Sequence, residues 1–351
     1  DYLDIIARKG WEAEIVEQLM HHLSTMRSAW DVLLCEDMPD ASLMHRLLLD
    51  AASHYGLLGS AEISELCPKL TLPQSWNTYL QMQTKKTRHE FRRREKALCS
   101  EFDAVFETIR DEHNFDAAFE EFVALHQERW NTQGEPGVFA DPSYRAFQIE
   151  AARRLFRKGL VRLNFLKLKG KRAVGSYAFA RGGHYALYLL GMGNTDGARK
   201  YSPGLALCSE NIRQAISEGC RVFDFMRGSE DYKYTFLARD EPTWTITLFS
   251  AGRFSLRLSR LLLALALLTE ALRLRMRKEV WRLKYAANRH GVFSWTMARH
   301  CLKSLVETVR DALQKSRRPL QPRYVHHPAA SFFNGARMKD KNHRQQHLTA
   351  R

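Results

Sequence analysis

The chain has 351 residues, with 54 Lys and Arg against 39 Asp and Glu and a formal net charge of +15. That length buries a substantial core and points to two domains. Six cysteines, at 35, 67, 99, 208, 220 and 301, lack Cys-x-x-Cys or Cys/His spacing, which argues against both a zinc site and a disulfide scaffold. A reducing cytoplasm is the expected compartment. The first residue is Asp1, which reads as a cut or processed start, and no leading apolar segment marks a secretory signal. Residues 251–351 carry 22 Lys and Arg against 5 Asp and Glu, whereas residues 1–250 carry 32 against 34. The body is nearly neutral, and the basic tail suits an anionic membrane surface, RNA or an acidic partner, or a plain solvated tail.

In chain order, Tyr2–Ala7 reads as a strand, Glu12–Leu23 as an amphipathic helix with Ile15, Val16, Leu19 and Leu23 on one face, and Trp30–Cys35 as a strand. Met44–His54 reads as a helix and Glu62–Leu70 as a strand. A further helix begins at Trp76 and is expected to run into Lys85, Lys86, Arg88, Arg92, Arg93, Arg94 and Lys96, a basic face that suits phosphate or solvent. Phe115–Arg129 is helical by period, the Gly- and Pro-rich loop 131–142 reads as a site rim, and Tyr144–Lys158 is another helix. Strands at Leu160–Lys167, Ala173–Ala180 and His184–Leu190 are joined by turn sequences suited to antiparallel hairpins.

The stretch Tyr201–Phe236 is the centre of the sequence. Ser202 has N-cap chemistry, Pro203 suits the first helical position, and Gly204 lets a ligand approach the backbone. An amphipathic helix over Leu205–Ser217 stops at Gly219, and Val222–Met226 reads as a buried strand interrupted by Asp224. Arg227-Gly228-Ser229-Glu230-Asp231-Tyr232-Lys233-Tyr234 then crowds donors, acceptors and two phenols into one loop. A last strand is expected at Trp244–Phe249.

These motifs, from Tyr201-Ser202-Pro203-Gly204 through Phe223-Asp224-Phe225 to Tyr232-Lys233-Tyr234, resemble GNAT-fold acyltransferases of the CelD-like group, associated with cellulose and exopolysaccharide biosynthesis and related to Fem-type aminoacyltransferases. The resemblance spans roughly residues 116–249. It implies an α/β (α+β) fold, a GNAT-like mixed sheet flanked by helices. The order strand, helix, strand with Asp31 echoes the later half, so two GNAT-like halves are expected, the first incomplete. The corresponding boundaries are 1–110 for the first half, 111–252 for the acyltransferase domain, 253–314 for a basic helical extension and 315–351 for a basic tail.

The same resemblance implies acetyl-CoA or another acyl-CoA as donor, with its pyrophosphate held by Arg199, Lys200, Ser202, Gly204 and Leu205; Ser202 departs from the glycine favoured at its place. Asp224 is the candidate base, or a buried partner of Arg227 or Lys233. Lys233 would stabilise the oxyanion, Tyr232 or Tyr234 would protonate the thiolate, and Glu230 is a second base candidate. Arg227, His126, Arg129 and Trp130 are candidates for a small-molecule, sugar or peptide acceptor, although a lone helical histidine equally suits a structural place. A Fem-like enzyme using aminoacyl-tRNA is the alternative, and an inactive adaptor at a membrane assembly is the third reading. The run Leu261–Leu268 is too short to span a bilayer, so residues 253–284 are expected to lie on an anionic membrane surface, at the inner face. No metal is expected.

Overall fold

The structure is a computed structural model that describes residues 2–250 except 196, together with 258, 261–269, 272–273, 275–276, 279–280, 306 and 310. The expectations for the extension beyond 252 and for the tail 315–351 fall mostly or wholly outside these residues. Among the described residues, no helix is long and apolar enough to cross a membrane.

Eight strands form one sheet. In chain order the first elements are α1 (Glu12–Thr25), β1 (Val32–Pro39), α2 (Met44–His54), β2 (Leu58–Thr71), α3 (Trp76–Met82), α4 (Lys85–Phe102) and β3 (Val105–Thr108). They continue as α5 (Glu112–Thr132), α6 (Pro142–Arg157), β4 (Val161–Leu168), β5 (Lys171–Arg181), β6 (His184–Met192), α7 (Pro203–Ser217), β7 (Val222–Asp224), α8 (Asp231–Tyr234) and β8 (Arg239–Phe249). The sheet order is β1-β8-β2-β7-β6-β5-β4-β3. Every neighbouring pair is antiparallel except β6 and β7, which run parallel. A mixed sheet with flanking helices is the α/β GNAT-like architecture expected.

Three local readings change. Residues 2–7 form no strand; Leu3 makes a single backbone bond to the Asp37 carbonyl, 3.2 Å. The helix beginning at Trp76, capped by Ser75, does not run on into the basic segment, because Gln83 is extended and a fresh N-cap intervenes: Thr84 accepts from the Thr87 amide. Strand β3, only four residues long, had no legible alternation. The elements of residues 1–110 also join the later strands in one sheet, with β2 pairing with β7 and β8, and β3 with β4.

Each expected helix buries the face that its period marks. α1 and α2 bring Val16, Met20, Met44 and Leu48 onto Ile246 and Leu248 of β8. α5 packs Phe115, Phe119 and Phe122 against Phe165 and Tyr177. α7 sets Cys208, Ile212, Ala215 and Ile216 on Tyr185, Leu187 and Phe223. A buried polar network fixes α7 in rotation: Asn164 Nδ2 donates to Asn211 Oδ1 (2.8 Å) and Gln214 Oε1 (2.6 Å), and Asn211 Nδ2 donates to Ser176 Oγ (3.0 Å). Such a network tolerates few helix orientations, since each lost bond strands a buried amide.

Helix α5 lies unusually close to β6. A Cβ on Gly191 would stand 2.7 Å from the His126 backbone nitrogen, and one on Gly193 would stand 2.7 Å from Glu128 Oε2. Backbone cannot yield as a side-chain tip can. Gly191→Ala is therefore expected to push α5 off the sheet and destabilise the chain by about 1–3 kcal/mol, the range for overpacking, as measured by urea unfolding.

Candidate active site

The parallel contact of β6 and β7 is only three rungs long: His184 with Val222, Tyr185 with Phe223 and Ala186 with Asp224. Among the described residues, β6 keeps only β5 as a strand partner from Leu187 to Met192. The two strands therefore part at Asp224 and leave a wedge. A bulge sits on β6 at this point, because Ala178 faces Leu187 while Tyr177 faces Leu189, which leaves Tyr188 as the extra residue. Bulges re-aim backbone groups and are common beside active sites.

The wedge collects side chains from four elements. Leu190 of β6, Leu205 of α7 and Tyr232 of α8 pack on the same apolar cluster as Cys208. Burial pushes the Cys208 thiol up to about 12, against the pull of Arg129 and Lys233. Burial is also the main cause that raises the Tyr232 phenol, opposed by Arg129. At Glu230 burial works against ionisation, but the bond from Lys233 prevails and the carboxyl is held below its usual range, with a smaller pull from Arg129. Arg129 thus stands close enough to act on Cys208, Glu230 and Tyr232. Among the described residues its guanidinium has no hydrogen-bonded or ion-paired partner.

Asp224 and Lys233 do not pair with each other. Asp224 is fully buried: Oδ1 accepts from the Met226 amide (2.7 Å), while Oδ2 accepts from Tyr2 Oη (2.8 Å), lies 3.2 Å from His184 Nε2 and faces Lys69 Nζ at 3.9 Å. Burial and the Asp224 charge both raise the Tyr2 phenol. Lys233, 2% exposed, donates to the carbonyls of Arg227 (2.8 Å), Gly228 (2.9 Å) and Met226 (3.3 Å) and pairs with Glu230 at 2.9 Å. It clamps the loop after β7, where Met226 holds a left-handed φ of 58°. Arg227 reaches away to pair with Asp37. The expected partnership of Asp224 with Arg227 or Lys233 is replaced by these separate ties, because the loop turns back at Met226.

Other expected site residues scatter. Tyr234 is at the surface and donates to Asp240 Oδ1 (2.7 Å), so it does not face the wedge with Tyr232. His126 is buried: its Nε2 accepts from the Trp130 indole (2.9 Å), and its Nδ1 lies 3.3 Å from Gln127 Oε1. The ring and the indole thus satisfy each other within α5. Ser202 opens α7 in a left-handed conformation, φ 51°, and its side chain makes no cap bond, contrary to the N-cap expected of it. Arg199 and Lys200 lie in a short 3-10 turn, where Lys200 pairs with Glu101 at 3.6 Å. Gly204 stands open, with nothing within 4 Å of where a Cβ would be. Beside it, Leu205 and Ala206 border a groove floored by Trp76, Phe91 and Phe106. On the basic helix, Arg93 and Arg94 pair with Glu90 and Arg88 reaches the Leu80 carbonyl (3.5 Å), which leaves Arg92 facing solvent.

Tyr2, Lys69 and His184 at Asp224 are the residues that linear reading missed. His184 follows a Gly-Gly turn, and only the rung that puts Ala186 beside Asp224 brings His184, two residues earlier on the same face, to that carboxylate.

Two outcomes test these assignments. Lys233→Met removes the buried donor to three carbonyls and is expected to cost about 3 kcal/mol, at roughly 1 kcal/mol each; unchanged melting with collapsed turnover would give Lys233 a role on substrate instead. Burial lowers the His126 pKa from 6.5 to about 4. The unfolded chain takes up that proton below pH 6.5 and the folded chain does not, so this stability is complete above pH 6.5 and is lost as pH falls toward 4, at about 1.4 kcal/mol per pH unit. His126→Gln should flatten the slope of unfolding free energy against pH between 6.5 and 4.5 relative to wild type.

Residues 85–234 match the family model described as an acetyltransferase (GNAT) domain. Comparison with curated proteins gives no match. Among solved structures, the chain is similar to FemX at 12% identity, covering 67% of this chain and 76% of that one with a TM-score of 0.48. It is also similar to L-PGS from Bacillus licheniformis at 10% identity, covering 72% and 77% with a TM-score of 0.45. A GCN5-related N-acetyltransferase from Sphaerobacter thermophilus matches at 12% identity over 64% and 62%, with a TM-score of 0.30. Residues 85–234, from α4 through the β6–β7 wedge to α8, carry a GNAT acetyltransferase domain, and the chain is an acyltransferase.

Proposed function

We propose that the chain transfers an acyl group from acyl-CoA to an amine, with the donor's pantetheine arm lying in the wedge between β6 and β7. The observation that carries this reading is the parting of the two strands after Asp224, next to an open helix start at Gly204. A thioester arm needs a slot that exposes strand backbone, and β6 beyond Leu187 offers an edge without a second strand. Its amides would meet the carbonyl, and the amides at the start of α7 would meet the pyrophosphate, where the helix dipole favours negative charge. Arg129, unpartnered among the described residues and acting on Tyr232 and Glu230, supplies positive charge where the tetrahedral oxyanion develops. Tyr232, kept protonated by burial, is a proton donor in reach of the same space.

The resemblance of the motifs to the CelD-like group supports an acceptor from exopolysaccharide or cell-envelope chemistry, and residues 253–284 would hold the enzyme at the inner, anionic membrane surface. Both belong to the proposal.

The donor site is tested at Gly204. Because a Cβ there meets nothing within 4 Å, Gly204→Glu should leave the fold intact while its carboxylate repels the pyrophosphate. Calorimetry with acetyl-CoA should find affinity reduced by about 100-fold, the size of a like-charge penalty of a few kcal/mol, with Gly204→Ala close to wild type. Equal affinity for wild type and Gly204→Glu would remove the site.

A further inference from the structure

We propose that His184 is the general base of the transfer, oriented by Asp224 as an Asp–His dyad whose buried aspartate stands at the apex of the wedge. This rests on the acyl-CoA reading above.

The geometry begins with the faces of the sheet. Side chains alternate along a strand, so His184, Ala186 and their cross-strand neighbour Asp224 point to one face, and Lys69, opposite Asp224 on β2, points there too. Tyr185, Leu187 and Phe223 point to the other face, into the core made with α7. A pantetheine arm entering beside the start of α7 therefore comes from one face. The dyad waits on the other: Asp224 stands at the last rung before the strands part, and His184, at the first rung, reaches along the same face to it. An acceptor amine arriving on the dyad's face meets the thioester carbon from the side opposite the donor's phosphates.

The protonation pattern follows from hydrogen-bond chemistry. An ionised carboxylate only accepts, so at 3.2 Å the His184 Nε2 must carry the proton it shares with Asp224 Oδ2. In the neutral ring Nδ1 is then the nitrogen without a proton, and among the described residues it has no partner. The side chain is 42% exposed while Asp224 is fully buried. Lys69, the Tyr2 hydroxyl and the Met226 amide already satisfy the buried carboxylate. His184 is thus not required to compensate that charge; its own ring is what gains a fixed orientation. Asp224, with both oxygens engaged, is a positioning residue rather than the base.

The step balances without another reactant. The amine nitrogen attacks the thioester carbonyl carbon and a C–N bond forms, while His184 Nδ1 takes a proton from that nitrogen. The tetrahedral oxyanion collapses, the C–S bond breaks, and the departing CoA sulfur receives the proton back from the imidazolium, leaving amide, free thiol and neutral His184.

The test uses the full chain, acetyl-CoA, and hydroxylamine as a small nucleophile that needs no dedicated acceptor pocket, with thiol release as the readout. His184→Gln keeps a donor to Asp224 but removes the base, and it should lower turnover by about 10²–10⁴-fold, the span for a positioned general base. Acetyl-CoA affinity and melting temperature should match wild type. In His184→Ala, added imidazole should restore part of the lost rate, which no structural role would allow. Wild-type turnover in His184→Gln would overturn the base, as would a loss that tracks melting and resists imidazole, or a wild type that binds acetyl-CoA but releases no thiol to hydroxylamine. Calorimetry separates this from failure of the donor reading: a wild type that does not bind acetyl-CoA overturns that reading and the base with it.

Discussion

Three parallel rungs between β6 and β7 are the constraint on which the rest of the molecule depends. A parallel pair in a sheet requires a crossover, and α7 supplies it between the end of β6 and the start of β7. The pairing stops at Asp224, whose carboxylate turns back to accept the Met226 amide and so ends the strand. A longer β7 would zip the sheet closed. A shorter one would lose the rung that holds Asp224 against Ala186. The wedge exists because one buried aspartate terminates pairing in the middle of an otherwise continuous sheet.

Elements on both sides keep that wedge open. The Asn164–Asn211–Ser176 network holds α7 in one rotation against β4 and β5, and glycines 191 and 193 let α5 sit almost on the β6 backbone. Arg129, near the end of α5, is thereby carried to the space shared by Tyr232, Glu230 and Cys208. The cost is local strain and buried charge. Ser202, Met226 and Leu237 all hold left-handed φ angles, and these persist only where the surroundings over-determine them. Lys233 provides much of that determination, since its ammonium gathers three carbonyls of the turn that follows β7.

The N-terminal elements complete the site as well as the sheet. β2 lies directly against β7 and contributes Lys69, and the segment before α1 delivers the Tyr2 hydroxyl to Asp224. The GNAT match begins only at residue 85, so the carboxylate at the apex depends on side chains from outside the matched segment. That explains why a loop read in isolation suggested Asp224 would pair with Arg227 or Lys233, the nearest cations in sequence.

Local order was legible wherever a period or a stop signal acts over a few residues. The helical faces of α1, α2, α5 and α7, the hairpins of β4 to β6, and Pro203 at the start of α7 all follow from spacing and from glycine and proline chemistry. What only the tertiary structure decided is which polar groups meet. The fold brings side chains 40 to 222 positions apart onto the Asp224 carboxylate, and a hydrogen bond depends on ångströms rather than on order along the chain. His184 therefore joined Asp224 through a shared sheet face, Lys233 turned to carbonyls because its loop reverses at Met226, and His126 closed on Trp130 because α5 buries that face against the sheet.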